Sequence, residues 1–585
     1  MKLRIKNEEL RMKRTVTYLI FGWLLCVVVS CGNRKDTEVV VENQKSEKYG
    51  GVVRRNIEFG FASLYPPNAS DNGSYQILRN VMENLVSFSG SGSMVEPCLA
   101  ERWEILDSAT RFVFHLRKNI YFHDDPCFPG GKGREFKASD VAYCLHQVCE
   151  PGPQNDAFWI LKDRIKGATE YYESRDRGDG LVDSVAGVHV VDENTIEIIL
   201  NKPYAGFLNI LGAPFLFIYP REAVKKYGVE HLDDHAVGTG PFKVSKVLPG
   251  EHVTLIRNGN YWKMDDEGNA LPYLDGVVYT FNPSQNELAD LQNDKLDIVS
   301  SAGRQTAEKF LSGNPKRKFR LMESTVLSTT FIGFQHQMDM FRNRDVRRAF
   351  AMAIDIKNLA LYMFDGLAAP GEYGVVPPTI SGYDATKIRP VSYDPDMAKK
   401  LLAKAGYPNG KGFPSIEMMF PEGHEKMGEA VQDMLQKNLN VHVDLVIMPF
   451  QELIPRVYGG FVPLFRMGWA ADYPDPESFL SLFYGAPVTS DLSVEVDINP
   501  CRYKNPEFDA LYEKANAEID NKKRMELYRQ ADQLLLDDVA AIPLSYRIEF
   551  TLIRASLMNC RPNILRTFDF TRTYFRKEAG DLKTK

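Results

Sequence analysis

The residues best equipped for chemistry crowd into one short stretch. From Gly468 to Pro476 the chain reads GWAADYPDP, with Asp472 and Asp475 three positions apart behind an apolar run, PLFRM, that reads as a strand entering a turn. Two carboxylates are the equipment of a glycosidase, one as acid and the other as base or nucleophile. Neighbours three apart in a proline-bound turn have no way to flank a sugar ring, so hydrolase chemistry is not the reading. On local grounds Asp472 reads as a loop cap, because an Asp ahead of a Pro-containing turn commonly bonds its own backbone.

Other candidate sites are weaker still. Cys144, His146 and Cys149 could be imagined as metal ligands, but they fall in DVAYCLHQV, a helical pattern in which positions 144 and 146 point about 200° apart. There is no GxSxG elbow, no HExxH helix and no GxxxxGK[ST] phosphate loop. Gly238-Thr239-Gly240-Pro241 lacks the third glycine of a dinucleotide fingerprint, and Pro241 removes an amide where an anion site needs one. The expectation is a protein with no enzymatic activity, no cofactor and no metal.

These residues need a large frame. At 585 residues the chain can build two or three cores. Strand-like runs at 112–116, 188–200, 252–257 and 441–448 alternate with helical ones, which indicates an α/β or α+β architecture. Asp394-Pro395 opens a helix with Met397, Ala398, Leu401, Leu402 and Ala405 on one face and Gly406 at its end. A second helix runs through DVRRAFAMAI, with Val346, Phe350, Ala353 and Ile354 at helical spacing.

The balance of 71 basic against 77 acidic residues, net -6, excludes the basic excess that nucleic-acid binding demands. At the N-terminus, Arg11, Lys13 and Arg14 precede the twelve-residue apolar run YLIFGWLLCVVV. Twelve residues span only about 18 Å as a helix, which suits a signal peptide and not a membrane span. Met12 is an alternative start. Val28-Val29-Ser30-Cys31 resembles a lipobox, with Cys31 as the lipidated residue holding the protein at a membrane surface. Residues 32–51 read as a flexible tether. Six further cysteines permit 15 pairings, so disulfide connectivity cannot be read.

Nine stretches in order resemble one family, the extracellular solute-binding proteins of ABC importers, family 5, typified by oligopeptide- and dipeptide-binding proteins. They are MENLVSF, EPCLAERWE, FVFHLRKNIYFHD, FKASDVAY, GTGPFKV, RNGNYW, NRDVRRAFAMAID, AKKLLAKAGY and GWAADYPDP. The resemblance implies a periplasmic-binding-protein-like α/β fold with two large lobes, an extra small lobe and a ligand cleft between the large lobes. Lobe I would take 52–77, 200–303 and 545–578, the small lobe 78–199, and lobe III 304–544.

Residue by residue, the resemblance implies that Asp472 pairs with the free α-ammonium of a short peptide. Trp469 and Tyr473 would line the site beside it, and Arg466 would meet the ligand's carboxylate with its bidentate fork. Arg456 lies near the place of another such Arg. In the loop 68–74, Ser70 and Asn72 fall at positions whose backbone pairs with an extended peptide. Phe158 and Trp159 sit near an aromatic contact from the small lobe. Two departures from the pattern are Leu64-Tyr65-Pro66 and the long loop 124–136.

The function so implied is a monomeric, lipid-anchored protein of the periplasm or cell envelope that delivers peptides to an ABC permease. Alternatives on the same fold are binding of an oligosaccharide, a nickel complex or haem; an exported sensor or hydrolase is another. The matching Asp is missing from nickel-binding members, whereas Tyr473, Trp469 and Phe158 keep a sugar ligand open.

Overall fold

Strand alternation is clean where one face is buried. In Arg111–Leu116 the residues Phe112, Phe114 and Leu116 turn inward and their neighbours outward, the period-2 signature of a half-buried strand. The computed structural model describes residues 47–577, apart from 58–59, 89–91, 93, 234, 282–285, 301, 315–317, 364–365, 490, 492–493, 495 and 497. The signal segment, Cys31 and the tether up to residue 46 lie outside the described residues. The last residues assigned to the tether do not behave as one. Tyr49 Oη donates to the Ala270 carbonyl at 2.6 Å and its ring packs edge-on against Tyr273, so the chain is already seated on the body there.

Strands from distant parts of the chain form one mixed sheet of eleven. In spatial order they run Val443–Met448, Ile416–Pro421, Leu464–Ala470, Phe319–Phe334, Ala541–Arg554, Ile298–Val299, Val52–Asn56, Gly276–Thr280, His252–Arg257 and Phe242–Leu248, with Ala368–Pro370 paired beside Ala541–Arg554. A separate antiparallel sheet of four joins Ala100–Leu106, Arg111–Leu116, Thr195–Ile199 and Val188–Asp192. The run 188–200 is thus a hairpin, not one strand, because Asp192 to Thr195 makes the turn.

The cores divide by chain segment. One gathers apolar residues of 53–298 and 553–570 together with Tyr473, while two others lie within 327–544. The long antiparallel pair Phe319–Phe334 and Ala541–Arg554 runs between these regions. Its register shifts between Thr325 and Thr329, opposite Ile548 and Tyr546. Ala471 donates its amide to the Leu327 carbonyl inside that irregularity at 2.9 Å, so the bulge receives the strand end that carries Asp472.

Both helices read from the sequence form. Asp394 caps Pro395–Lys404 by accepting from the Met397 amide at 2.9 Å, but Met397 itself is 41% exposed and the buried stripe is narrowed to Ala398 and Leu402. Arg344–Ala353 buries Val346, Phe350 and Ala353 as its spacing predicts. Cys144, His146 and Cys149 serve structure: His146 Nδ1 lies 2.7 Å from the Ala142 carbonyl and its Nε2 accepts from the Val185 amide. The six described cysteines are free thiols. No group of metal-ligating residues occurs among the described residues.

Candidate functional site

The site is built around the end of Leu464–Ala470. Pairing with Phe319–Phe334 brings Trp469 opposite Thr329 and Arg466 opposite Ile332. After Ala470 the chain turns through Asp472 and Tyr473 into the short helix Glu477–Leu480. Three acids follow in six residues, and their surroundings set them apart.

Asp475 is fully buried. Its Oδ2 accepts from Arg524 Nη1 at 2.6 Å and from Asn209 Nδ2 at 2.8 Å, while Oδ1 accepts from the Glu477 amide at 3.0 Å. Asp475 thus bonds the turn backbone two residues ahead, at the start of the helix. Glu477 is buried as well, and its carboxylate receives Arg164 Nη2 at 3.3 Å, Tyr512 Oη at 2.5 Å, Tyr204 Oη at 3.2 Å and Tyr473 Oη. Each of these acids has an arginine.

Asp472 has none among the described residues. It is half-buried, and burial pushes its carboxyl up to about 7, opposed only by a bond to its own backbone amide. Tyr75, on the helix Asn72–Val81, is held well above the usual tyrosine range by burial and, next, by the nearby Asp472 carboxylate.

Asp472 faces a cavity of about 1050 Å³. One wall comes from Phe158, Trp159 and the segment 200–204; the other comes from Tyr458, Trp469 and the chain from Asp472 to Ala517. Phe158 stacks face to face on Tyr172 at 3.9 Å, and Trp159, 40% exposed, sets its edge against Phe215. Trp469 Nε1 donates to Ser478 Oγ at 3.3 Å, which fixes the indole plane along the wall.

Five of the eight sequence-predicted ligand residues meet here: Asp472, Trp469, Tyr473, Phe158 and Trp159. Tyr473 has a second task, since it is 2% exposed, donates to Glu477 and packs with the core of 53–298. Arg466, Ser70 and Asn72 do not line the cavity. Ser70 is exposed and donates to Asp156 at 3.5 Å; Asn72 opens the helix and accepts from Gln76 at 2.6 Å. The loop 68–74 is mostly the entry to that helix, with Asp71 as its cap on the Ser74 amide.

Arg466 has an unusual setting. Its Nη2 donates to Thr330 Oγ1 at 3.3 Å, its buried Nε has no partner, and burial lowers its pKa to about 10. Strand alternation turns it to the face opposite Trp469. Sequence reading did not find Tyr204, Tyr458, Tyr484, Val488 or Tyr512, because only the fold brings them to the cavity.

The mixed sheet, the small antiparallel sheet and the cavity between chain-distant walls define a protein of the periplasmic-binding type. Residues 94–491 match the family model described as bacterial extracellular solute-binding proteins, family 5, and the chain belongs to that family. It is 29% identical over 554 residues to heme-binding protein A of Haemophilus influenzae, covering 92% of this chain and 95% of that one. Against the dipeptide-binding protein of Escherichia coli it is 26% identical, covering 80% and 84%. Among solved structures, the ABC transporter-associated periplasmic binding protein DppA of Helicobacter pylori, in complex with the peptide STSA, superposes with a TM-score of 0.71 at 25% identity, covering 91% and 99%. HbpA2 of Haemophilus parasuis shares the fold, with a TM-score of 0.75 at 23% identity over 90% and 100% of the chains.

Proposed function

We propose that this chain captures short peptides by their free amino terminus and delivers them to an ABC permease. The observation that carries the reading is the contrast among the three acids: Asp475 and Glu477 each hold an arginine, while Asp472 faces the cavity with no cation among the described residues. A buried carboxylate is costly alone and favourable with a close, hydrogen-bonded cation, so the site selects an ammonium. Relatives named as dipeptide- and di/tripeptide-binding proteins, and the peptide-bound Helicobacter structure, support a peptide as the bearer of that ammonium.

Arg466, outside the cavity on the strand face opposite Trp469, would receive the carboxylate of the shortest ligands only from beyond that wall, its orphaned Nε being the group in want of an acceptor. Closure of one cavity wall on the other, with the long strands Phe319–Phe334 and Ala541–Arg554 as the hinge, would enclose the ligand. Ser70 and Asn72 would contribute at the peptide's backbone in the closed state. Lipidation at Cys31 would hold the protein at the membrane, facing outward as the family description implies.

The experiment is calorimetry with mixed di- to pentapeptides. Binding well below millimolar supports the reading, and failure of every peptide while another solute binds overturns it. Haem is the second reading, favoured by the aromatic walls and by the relative named for haem binding. Its two propionates would face an uncompensated Asp472, which counts against it; an absorbance titration with haemin decides.

A further inference from the structure

Most of the aromatic polar groups on the cavity wall are already bonded to the protein, while Asp472, Tyr458, Lys162, Lys202 and Thr489 also line it. Of the five tyrosines that line it, Tyr204, Tyr473 and Tyr512 donate to Glu477, and Tyr484 donates to Glu513. Trp469 Nε1 is bonded to Ser478, and Arg164 to Glu477. A cavity that reads sugar hydroxyls or amide side chains presents free donors and acceptors to them, because burying a polar ligand group without a partner is costly. Here four of the five tyrosine hydroxyls are bonded to Glu477 or Glu513.

The apolar lining is the larger part. Trp469 and Val488 stand on one side, Phe158, Trp159 and Leu200 on the other. The volume of about 1050 Å³ is ample for a bulky side chain beside a peptide backbone. We propose that the cavity is an apolar side-chain subsite, and that the protein selects peptides carrying a large aliphatic or aromatic residue beside the amino terminus. This rests on the peptide reading above but goes beyond it, because backbone pairing and an amine clamp alone would accept any sequence.

The test is calorimetry with trialanine and tripeptides in which one position in turn is Phe, Leu, Gly, Gln or Glu, using the full chain. Burying a large apolar side chain gains about 1.5–3 kcal/mol, so Phe or Leu at one position should bind at least tenfold tighter than Gly, Gln or Glu there. Two variants check the location: Trp469→Ala and Val488→Thr, the second nearly isosteric. Each should lower the Phe-to-Gly ratio by about threefold or more. Because the ratio is measured within one variant, partial loss of folded protein does not alter it. Equal binding of all side chains at every position by the wild type overturns the apolar subsite and leaves the peptide reading intact. No binding of any tripeptide overturns both, and a ratio unchanged in both variants overturns this cavity as the subsite.

Discussion

Arg164 and Glu477, 313 residues apart in the chain, meet at 3.3 Å and join the two walls of the cavity. Glu477 is the hub, since Tyr204, Tyr473 and Tyr512 converge on the same carboxylate. Glu477→Gln removes the charge and leaves Arg164 without its partner. Breaking a buried pair from one side typically costs about 3–5 kcal/mol, and the partial exposure of Arg164 sets the expectation at the lower end, about 3 kcal/mol by urea unfolding. A variant as stable as the wild type would remove Glu477 from that role.

The pH dependence of capture follows from Asp472. Its carboxyl sits at about 7 when the site is empty, and an ammonium alongside would pull it down, so binding favours the ionised form. Below pH 7 the proton must leave before the ligand pairs, and affinity falls by up to tenfold per unit. Above about pH 8 the peptide amine itself deprotonates. Calorimetry from pH 5 to 9 should therefore give an optimum between about 7 and 8, and Asp472→Asn should flatten the acid side.

Arg466 predicts the opposite end of the ligand. Arg466→Gln should weaken dipeptides with a free carboxylate by about tenfold or more and leave C-amidated ones within about threefold. Loss for both forms alike would mean that Arg466 supports the strand and does not touch the ligand.

Closure predicts a change of shape. If both walls grip the ligand, small-angle scattering should report a smaller radius of gyration with saturating peptide than without. An unchanged radius at saturation contradicts hinge closure at the long strand pair.

Much of the frame was legible in the sequence because it rests on local patterns. The alternation of 112–116 and the Asp394-Pro395 cap act within a few residues, and both stand in the structure. Asp472 is singled out by the resemblance of GWAADYPDP to the family, since local pattern reads it as a loop cap. What the sequence hid was the division of labour among its acids: the partner of Asp475 is 49 residues away and that of Glu477 is 313, so nothing nearby tells which carboxylate is left unpaired. Tyr473 was read as a ligand contact from its place beside Asp472, yet its hydroxyl is committed to Glu477 and its ring to a core. The bonding of four cavity tyrosine hydroxyls to Glu477 and Glu513 is likewise a tertiary property.

The central claim is that Asp472 is the anchor for a ligand's amino group. Calorimetry of one peptide in free and N-acetylated forms, on wild type and Asp472→Asn, tests it most directly. The free peptide should lose about 2 kcal/mol or more in the variant, roughly thirtyfold in affinity, while the acetylated peptide binds both proteins weakly and alike. Equal loss for the two peptides, or none for either, would contradict the claim.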